Sequence, residues 1–157
     1  MKNASDSDQD HTLWMLLRQA CDAALRARDR ELGQYGISVE EAAVLFVVHA
    51  TGETATPSEI SRWVFREPHS TSALLIRMEK NGLVRKLSDL ERKNLLRVVM
   101  TEKGREAYQN STARGSIHRM MSLLSPDERQ QLQSILERIR NEALKELRIE
   151  RKLPPFP

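Results

Sequence analysis

Small polar and basic side chains are concentrated in one part of this 157-residue sequence, between residues 69 and 93. Within it, Thr71, Leu74, Leu75 and Met78 fall at i, i+3, i+4 and i+7, which predicts a helix over about 70–81 with these residues buried. Apart from Ile76, the opposite face carries His69, Ser70, Ser72, Ala73 and Arg77. Hydroxyl and guanidinium groups on one helix face are suited to hydrogen bonds with base edges and phosphates.

Basic residues are also in excess in this part of the chain. Residues 57–105 contain 11 Lys and Arg against 6 Asp and Glu, residues 1–56 contain 5 against 9, and residues 106–157 contain 9 against 7. Arg92 and Lys93 lie at the tip of a hairpin predicted from two apolar-leaning runs, 83–87 and 95–100. Such an excess is expected of a segment that binds a polyanion. A solvated basic face would give the same counts, so charge alone leaves both interpretations open.

Other kinds of chemistry find little support in the sequence. The histidines are scattered, without Cys, Asp or Glu beside them at metal-ligand spacing, so no metal site is expected. There is no glycine-rich phosphate loop and no nucleophile elbow, so we predict that the protein is not an enzyme and needs no cofactor. The single cysteine, Cys21, falls on the apolar stripe of a predicted helix, where a thiol behaves as a small hydrophobic group.

Composition and the N-terminus predict a cytoplasmic protein. The chain is 39% hydrophobic and 30% charged, a balance typical of a soluble, helix-rich protein. Its longest apolar run, residues 42–48, is far shorter than the roughly 20 residues that cross a bilayer, so no membrane partner is expected. The first ten residues have no apolar stretch that would indicate a signal peptide, and one cysteine cannot form an internal disulfide.

The elements that must position the polar surface are mostly helices. Apolar residues at helical spacing predict a first amphipathic helix over about 11–32. Ser38–Glu41, Thr56–Glu59 and Ser125–Glu128 each fit a capping box that opens a further helix. Thr101 is expected to cap a long helix that reaches about Leu124. The last helix carries an apolar stripe of Leu132, Ile135, Leu136, Ile139, Ala143 and Leu147.

Two short helices joined by a tight turn and followed by a hairpin have the order of a winged helix-turn-helix. We therefore predict a mainly α (α+β) fold in which the 70–81 helix enters a major groove of double-stranded DNA, which admits one helix. The basic hairpin tip would then reach the flanking phosphates or the minor groove.

Four motifs carry a more specific resemblance. They are Thr56-Pro57-Ser58-Glu59-Ile60, Arg66-Glu67-Pro68-His69-Ser70-Thr71-Ser72, Met78-Glu79-Lys80-Asn81-Gly82-Leu83-Val84 and Met100-Thr101-Glu102-Lys103-Gly104. Over residues 38–108 the chain resembles the MarR family of transcriptional regulators. The resemblance implies a homodimer with dimerisation helices in residues 1–37 and 106–157 around a DNA-binding region, residues 38–105. It also implies a repressor of a pseudo-palindromic operator, released when a small aromatic or phenolic ligand binds between these regions.

The chain departs from the family's pattern in three places. Many relatives carry Asp-x-Arg just before the second wing strand, where this chain has Arg92 and Asn94. The resemblance then gives the role of the wing arginine to Arg92 or Lys93, and that of its acidic partner to Asp89 or Glu91. Ala73 stands where many relatives have a basic residue, and Ile76 stands where a polar residue is common.

Apolar residues near the junction of the two regions are the candidates for a ligand pocket. They are Trp14, Leu17 and Cys21 on the first helix and Phe46 on the second. If a small molecule binds there, we expect a planar aromatic acid or a phenol. Met120 and Met121 could line such a pocket together with Trp14, and core or dimer packing is the other role open to these three residues. A different class of function is a winged helix used for protein–protein assembly without an operator, although the basic wing favours DNA.

Overall fold

The structure, a computed structural model, describes residues 4–88, 91–92 and 94–148. This part of the chain forms seven helices and one two-stranded antiparallel hairpin. The elements are α1 (Ala4–Gly33), α2 (Val39–Ala50), α3 (Pro57–Trp63), α4 (Pro68–Lys80), β1 (Val84–Ser88), β2 (Leu96–Met100), α5 (Glu102–Ser111), α6 (Gly115–Met121) and α7 (Pro126–Glu146). The mainly α, winged helix-turn-helix prediction is confirmed.

Local hydrogen bonds define three of the helix starts, as the sequence predicts. The hydroxyl groups of Ser38, Thr56 and Ser125 each accept from the amide three residues later, at 3.2 Å. The carboxylates of Glu41, Glu59 and Glu128 accept from the cap amides at 2.9, 2.7 and 2.8 Å. Each capping box therefore satisfies amides that have no partner inside the helix.

The core joins the helix-turn-helix to the wing. Side chains with 0% exposure include Leu45 of α2, Ile60 of α3, Leu75 and Met78 of α4, Val84 of β1 and Val98 of β2. The strands pair from Val84 opposite Met100 to Ser88 opposite Leu96. The Val98 amide also donates to the carbonyl of Ala55 at 2.9 Å, which fixes the base of the wing beside the start of α3.

Two helix starts differ from the sequence prediction. The first helix begins at Ala4 rather than near His11. The α4 helix begins at Pro68 rather than Ser70, because proline is favourable in the first helical turn, where its missing N–H is not needed.

The prediction of one long helix from Thr101 to Leu124 is wrong, since the helix is interrupted between Ser111 and Gly115. The hydroxyl groups of Ser111 and Thr112 donate to backbone carbonyls three residues earlier, at 2.6 and 2.7 Å, and so compete with helical hydrogen bonds. Arg114 then adopts a left-handed conformation with φ of 47°, which turns the chain into α6.

Two helices leave apolar faces open to solvent within the protomer. On α1, Leu13, Trp14 and Leu16 are each more than half exposed. On α7, which is described throughout, Leu144 is the one buried residue, whereas Ile135, Leu136 and Ile139 are exposed. Among the described helices, none has the length and apolarity needed to traverse a lipid bilayer.

Candidate nucleic-acid interface and adjoining cavity

The α4 helix separates a buried side from an exposed side. Thr71, Leu74, Leu75 and Met78 are buried, as their spacing predicts. The other side carries Ser70, which is half-buried, and the exposed residues His69, Ser72, Ala73, Ile76 and Arg77. The structure therefore brings the α4 residues predicted for DNA contact onto one accessible surface.

Arg77 is tied to the neighbouring helix. Its Nε lies 3.6 Å from Oε1 of Glu41, a residue that is buried although charged. The other carboxylate oxygen of Glu41 accepts from the Ser38 amide. One glutamate thus caps α2 and holds a basic side chain of α4, a role that sequence reasoning missed. The available signal in the sequence was that a capping box uses only one carboxylate oxygen of its glutamate, which leaves the other oxygen for a basic side chain.

The wing contacts the start of α3 through Arg92. Its Nη1 lies 3.5 Å from Oε1 of Glu59, and its Nη2 donates to the carbonyl of Thr54 at 3.2 Å. The hydrogen bond from the Thr56 amide, followed by smaller contributions that include the charge of Arg92, lowers the pKa of Glu59 below 4.5. Arg92 is still exposed, so it can also meet a phosphate. Lys93 and Asp89 lie outside the described residues.

A polar network joins α1 to the turn before α6. The Glu31 carboxylate accepts from the amides of Gly115 and Ser116, at 2.7 and 3.1 Å, and from the Ser116 hydroxyl. Nη1 of Arg28 donates to Glu31 at 2.7 Å, and Nη2 donates to the Ser111 carbonyl at 2.6 Å. These bonds, led by the one from the Ser116 hydroxyl, lower the pKa of Glu31 to about 2.

A cavity of about 320 Å³ lies beside this network, between α1, α2, α5 and α6. Its apolar lining includes Leu25, Ala42, Phe46, Met120 and Met121, and its polar lining includes Arg28, Tyr108 and Arg114. The Tyr108 ring stacks on His49 with centroids 4.5 Å apart. An apolar wall with two guanidinium groups is suited to a planar apolar molecule with an anionic or hydrogen-bonding edge.

The four residues predicted for a ligand pocket are not brought together. Phe46 lines the cavity, whereas Trp14 is 59% exposed, Cys21 is exposed and Leu17 is half-buried, and none of these three lines it. The α1 side of the wall instead comes from Ala24, Leu25, Arg28 and Leu32. These residues continue the same helical stripe nearer the end of α1. The sequence could therefore have indicated them through the C-terminal half of that stripe.

Comparison with known proteins supports the resemblance seen in the motifs. No family model matches the chain. YfiV of Bacillus subtilis, an uncharacterized HTH-type transcriptional regulator, is 27% identical over 145 residues, which cover 89% of this chain and 90% of that protein.

Two solved structures share the fold. The organohalide-sensing RdhR-CbdbA1625 transcriptional regulator, in a 2,4-dichlorophenol bound form, has a TM-score of 0.86 and 30% identity, covering 100% of this chain and 95% of its own. A MarR mutant from E. coli, complexed with operator DNA, has a TM-score of 0.76 and 18% identity, covering 84% and 96%.

The identity to a transcriptional regulator extends over the whole chain, and the winged helix-turn-helix, its capping boxes and the α4 surface are all present. The chain belongs to the MarR family and is a DNA-binding transcriptional regulator.

Proposed function

We propose that the protein is a homodimeric repressor whose two α4 helices enter successive major grooves of a pseudo-palindromic operator. The observation that carries the proposal is the exposed side of α4. The buried side of the same helix packs on the core, so the exposed side chains are held in place and remain accessible to DNA. His69, Ser70, Ser72, Ala73 and Arg77 would face base edges and nearby phosphates. Arg92 and Lys93 would bind flanking phosphates or the minor groove.

A binding assay across salt concentrations tests this proposal. A labelled fragment from upstream of the protein's own gene is titrated with the protein in the presence of excess unrelated DNA. We expect a footprint of the wild-type protein that survives the competitor. The Ser72→Ala variant should bind the operator more weakly by about 1–3 kcal/mol, while its binding to unrelated DNA should be nearly unchanged. Weak retention that salt removes equally from every sequence would favour a winged helix used for assembly.

The exposed apolar faces of α1 and α7 support a dimer. Ile135 and Ile139 of α7 are 49% and 45% exposed, and Leu16 of α1 is 59% exposed. A second copy of the chain would cover these faces across a two-fold axis. We therefore assign residues 1–37 and 106–157 to dimerisation and residues 38–105 to DNA binding.

We further propose that the cavity beside Arg28 takes a phenol or a planar aromatic acid and that its occupation releases the operator. Its wall offers apolar area from Phe46 and Met120 and the guanidinium groups of Arg114 and of Arg28, the latter paired with Glu31. The dichlorophenol-bound regulator is a relative with this class of ligand. A ligand can shift the equilibrium between the operator-binding and the released arrangements of the protein only by the difference in its affinity for the two.

Titration of the protein–operator complex with 2,4-dichlorophenol and with benzoate tests the cavity. We expect operator affinity to fall with at least one of them, and Ala43→Leu, which places bulk in the lining, to reduce that response. Trp14→Ala should leave ligand binding unchanged, because Trp14 is outside the wall. If no such compound shifts affinity at millimolar concentration, a constitutive repressor becomes the better interpretation.

The same proposal places the protein in the cytoplasm, where chromosomal DNA is accessible, and gives it no catalytic role. The relatives named above are described as transcriptional regulators. Fractionation of cells that express the tagged protein would test the location.

A further inference from the structure

The middle of the exposed side of α4 is apolar. Ile76 is 60% exposed, and Ala73, one turn earlier, is also exposed. Both lie between the polar residues His69 and Ser72 towards the start of the helix and Lys80 at its end. Neither side chain can donate or accept a hydrogen bond, so neither one is suited to contact phosphates or water.

The packing of α4 does not account for Ile76. Leu74, Leu75 and Met78, which are 4% exposed or less, form the side that packs on the core. Ile76 lies outside that side of the helix. Its neighbour Arg77 is drawn to Glu41 at 3.6 Å, which leaves the isoleucine side chain at the centre of the accessible surface.

The major groove of DNA presents one apolar group to such a side chain. That group is the C5-methyl of thymine, which stands beside the hydrogen-bonding edges of the bases. Cytosine at the same place would present an amino group. The apolar side chain would displace the water that binds this amino group and would offer it no hydrogen bond in return. We propose that Ile76, with Ala73 beside it, contacts thymine C5-methyl groups and so requires an A·T pair at a defined place in each operator half-site.

This inference rests on the proposed function, because it needs α4 in the major groove. Its test uses deoxyuridine, which pairs with adenine as thymine does but has no C5-methyl. An operator is first selected with the wild-type protein from random duplexes. Each thymine of a half-site is then replaced in turn, and affinity is measured for the wild type, Ile76→Ala and Ile76→Val.

We expect one or two thymines per half-site at which deoxyuridine weakens wild-type binding about 3- to 5-fold. This is the loss expected when one methyl group is no longer buried in the interface. Ile76→Ala should bind the thymine and deoxyuridine operators equally at that position, whereas Ile76→Val should keep most of the difference. The melting temperatures of both Ile76 variants should equal that of the wild type, because Ile76 is exposed. Leu96→Ala is the matched control: it removes an aliphatic side chain of β2 that is 48% exposed and lies outside α4, and it should keep the wild-type ratio.

A second arm restores the methyl group in another base pair. At the sensitive position, 5-methylcytosine should bind the wild type better than cytosine does, and Ile76→Ala should not distinguish the two. If the wild type selects an operator but every deoxyuridine substitution is neutral, or if the sensitivity persists in Ile76→Ala, this inference is wrong and the proposed function stands. If no duplex is selected, both are overturned.

Discussion

The carboxylate of Glu31 joins the end of α1 to amides 84 and 85 residues later. It accepts from two amides and one hydroxyl of the Gly115–Ser116 turn and from Arg28, and its side chain is only 14% exposed. Charge-assisted hydrogen bonds favour the ionised carboxylate. The Arg28–Glu31 network therefore fixes the turn between α5 and α6, which lies next to the cavity.

We predict that Glu31→Gln lowers the free energy of unfolding by about 1–2 kcal/mol at pH 7, because a neutral amide accepts these hydrogen bonds more weakly. Urea denaturation at pH 7 measures the change. Glu106→Gln, which alters an exposed glutamate of α5, should be within about 0.5 kcal/mol of the wild type.

The same residue predicts a pH dependence. The pKa of Glu31 is lowered from 4.5 to about 2 on folding, so its contribution to stability is fully present above pH 4.5 and is lost as pH falls from 4.5 towards 2. We expect the difference in unfolding free energy between the wild type and Glu31→Gln to be constant from pH 6 to 8 and to narrow below pH 4.5. A difference that stays constant down to pH 3 would contradict this account.

Arg92 is the described basic residue of the wing tip, and Glu59 holds it at 3.5 Å. We predict that Arg92→Ala weakens binding to operator and unrelated DNA by similar factors, because phosphates are present in every sequence. The slope of log affinity against log salt should become less negative by about one for each arginine lost. Lys145→Ala, which removes an exposed charge of α7, should change neither quantity, and an unchanged slope in Arg92→Ala would show that this arginine is not a DNA contact.

At the scale of elements, the wing and α5 are joined by a close backbone approach. The Thr101 hydroxyl caps α5 by accepting from the Gly104 amide at 3.0 Å, and it donates to the Gly82 carbonyl at 2.5 Å. Gly104 is buried against the backbone of Leu83, and a Cβ at position 104 would overlap the Leu83 carbonyl oxygen. The glycine of the Thr101–Gly104 motif therefore allows α5 to start beside β1.

We predict that Gly104→Ala lowers the unfolding free energy by about 3 kcal/mol, because the added methyl group meets backbone that cannot move without shifting the wing. Gly33→Ala is the control, since a Cβ there meets nothing within 4 Å. Thermal melts of both variants make the comparison. Equal melting temperatures for the two variants would mean that the wing and α5 can separate freely.

At the scale of the whole molecule, the protomer leaves its long helices incompletely packed. The apolar stripe of α7 includes Ile135 and Ile139, yet Leu144 is the residue of that helix that becomes buried. An amphipathic helix of 21 residues draws most of its stability from covering such a stripe. A partner protomer would provide that cover and would set the distance between the two α4 helices.

We predict that Ile135→Glu combined with Ile139→Glu gives a monomer in sedimentation at micromolar concentration, because the dimer would bury two unpaired carboxylates per protomer. Operator affinity should fall at least 100-fold, since two half-sites are then no longer bound together. Asn141→Glu, on the opposite side of α7, adds charge outside the stripe and should stay dimeric. A stable wild-type monomer at the same concentration would refute the dimer.

Dimer geometry also explains how a ligand in the cavity can act on DNA. Two α4 helices must lie about 34 Å apart to enter successive major grooves. The cavity is bounded by α1 and α6, which are expected to join the dimer, and by α2 and α5, which pack on each other and on β2 of the wing. A ligand that changes the angle between these pairs would move the α4 helices out of register.

Sequence alone determined the parts that depend on neighbours within a few residues. The three capping boxes and the buried side of α4 follow from donors, acceptors and apolar positions at most seven residues apart within one element. The hairpin follows from two apolar-leaning runs separated by a short charged segment. The accessible side of α4, which we propose faces DNA, could be predicted for the same reason. Once Leu74, Leu75 and Met78 are buried, Ser72, Ala73 and Ile76 are left on the accessible side of the helix.

Tertiary structure decided the features whose partners are distant in sequence. The turn that follows the break between α5 and α6 is held by Glu31, the position of Arg92 depends on Glu59 and Thr54, and the cavity wall needs Arg28 and Tyr108 from separate helices. Periodicity shows which face of a helix is apolar, but it does not show which turn of that face meets which neighbour. That choice is made by packing whole helices together, and this is why the cavity is lined by Leu25 and Arg28 of α1 rather than by Trp14, Leu17 and Cys21 nearer its start.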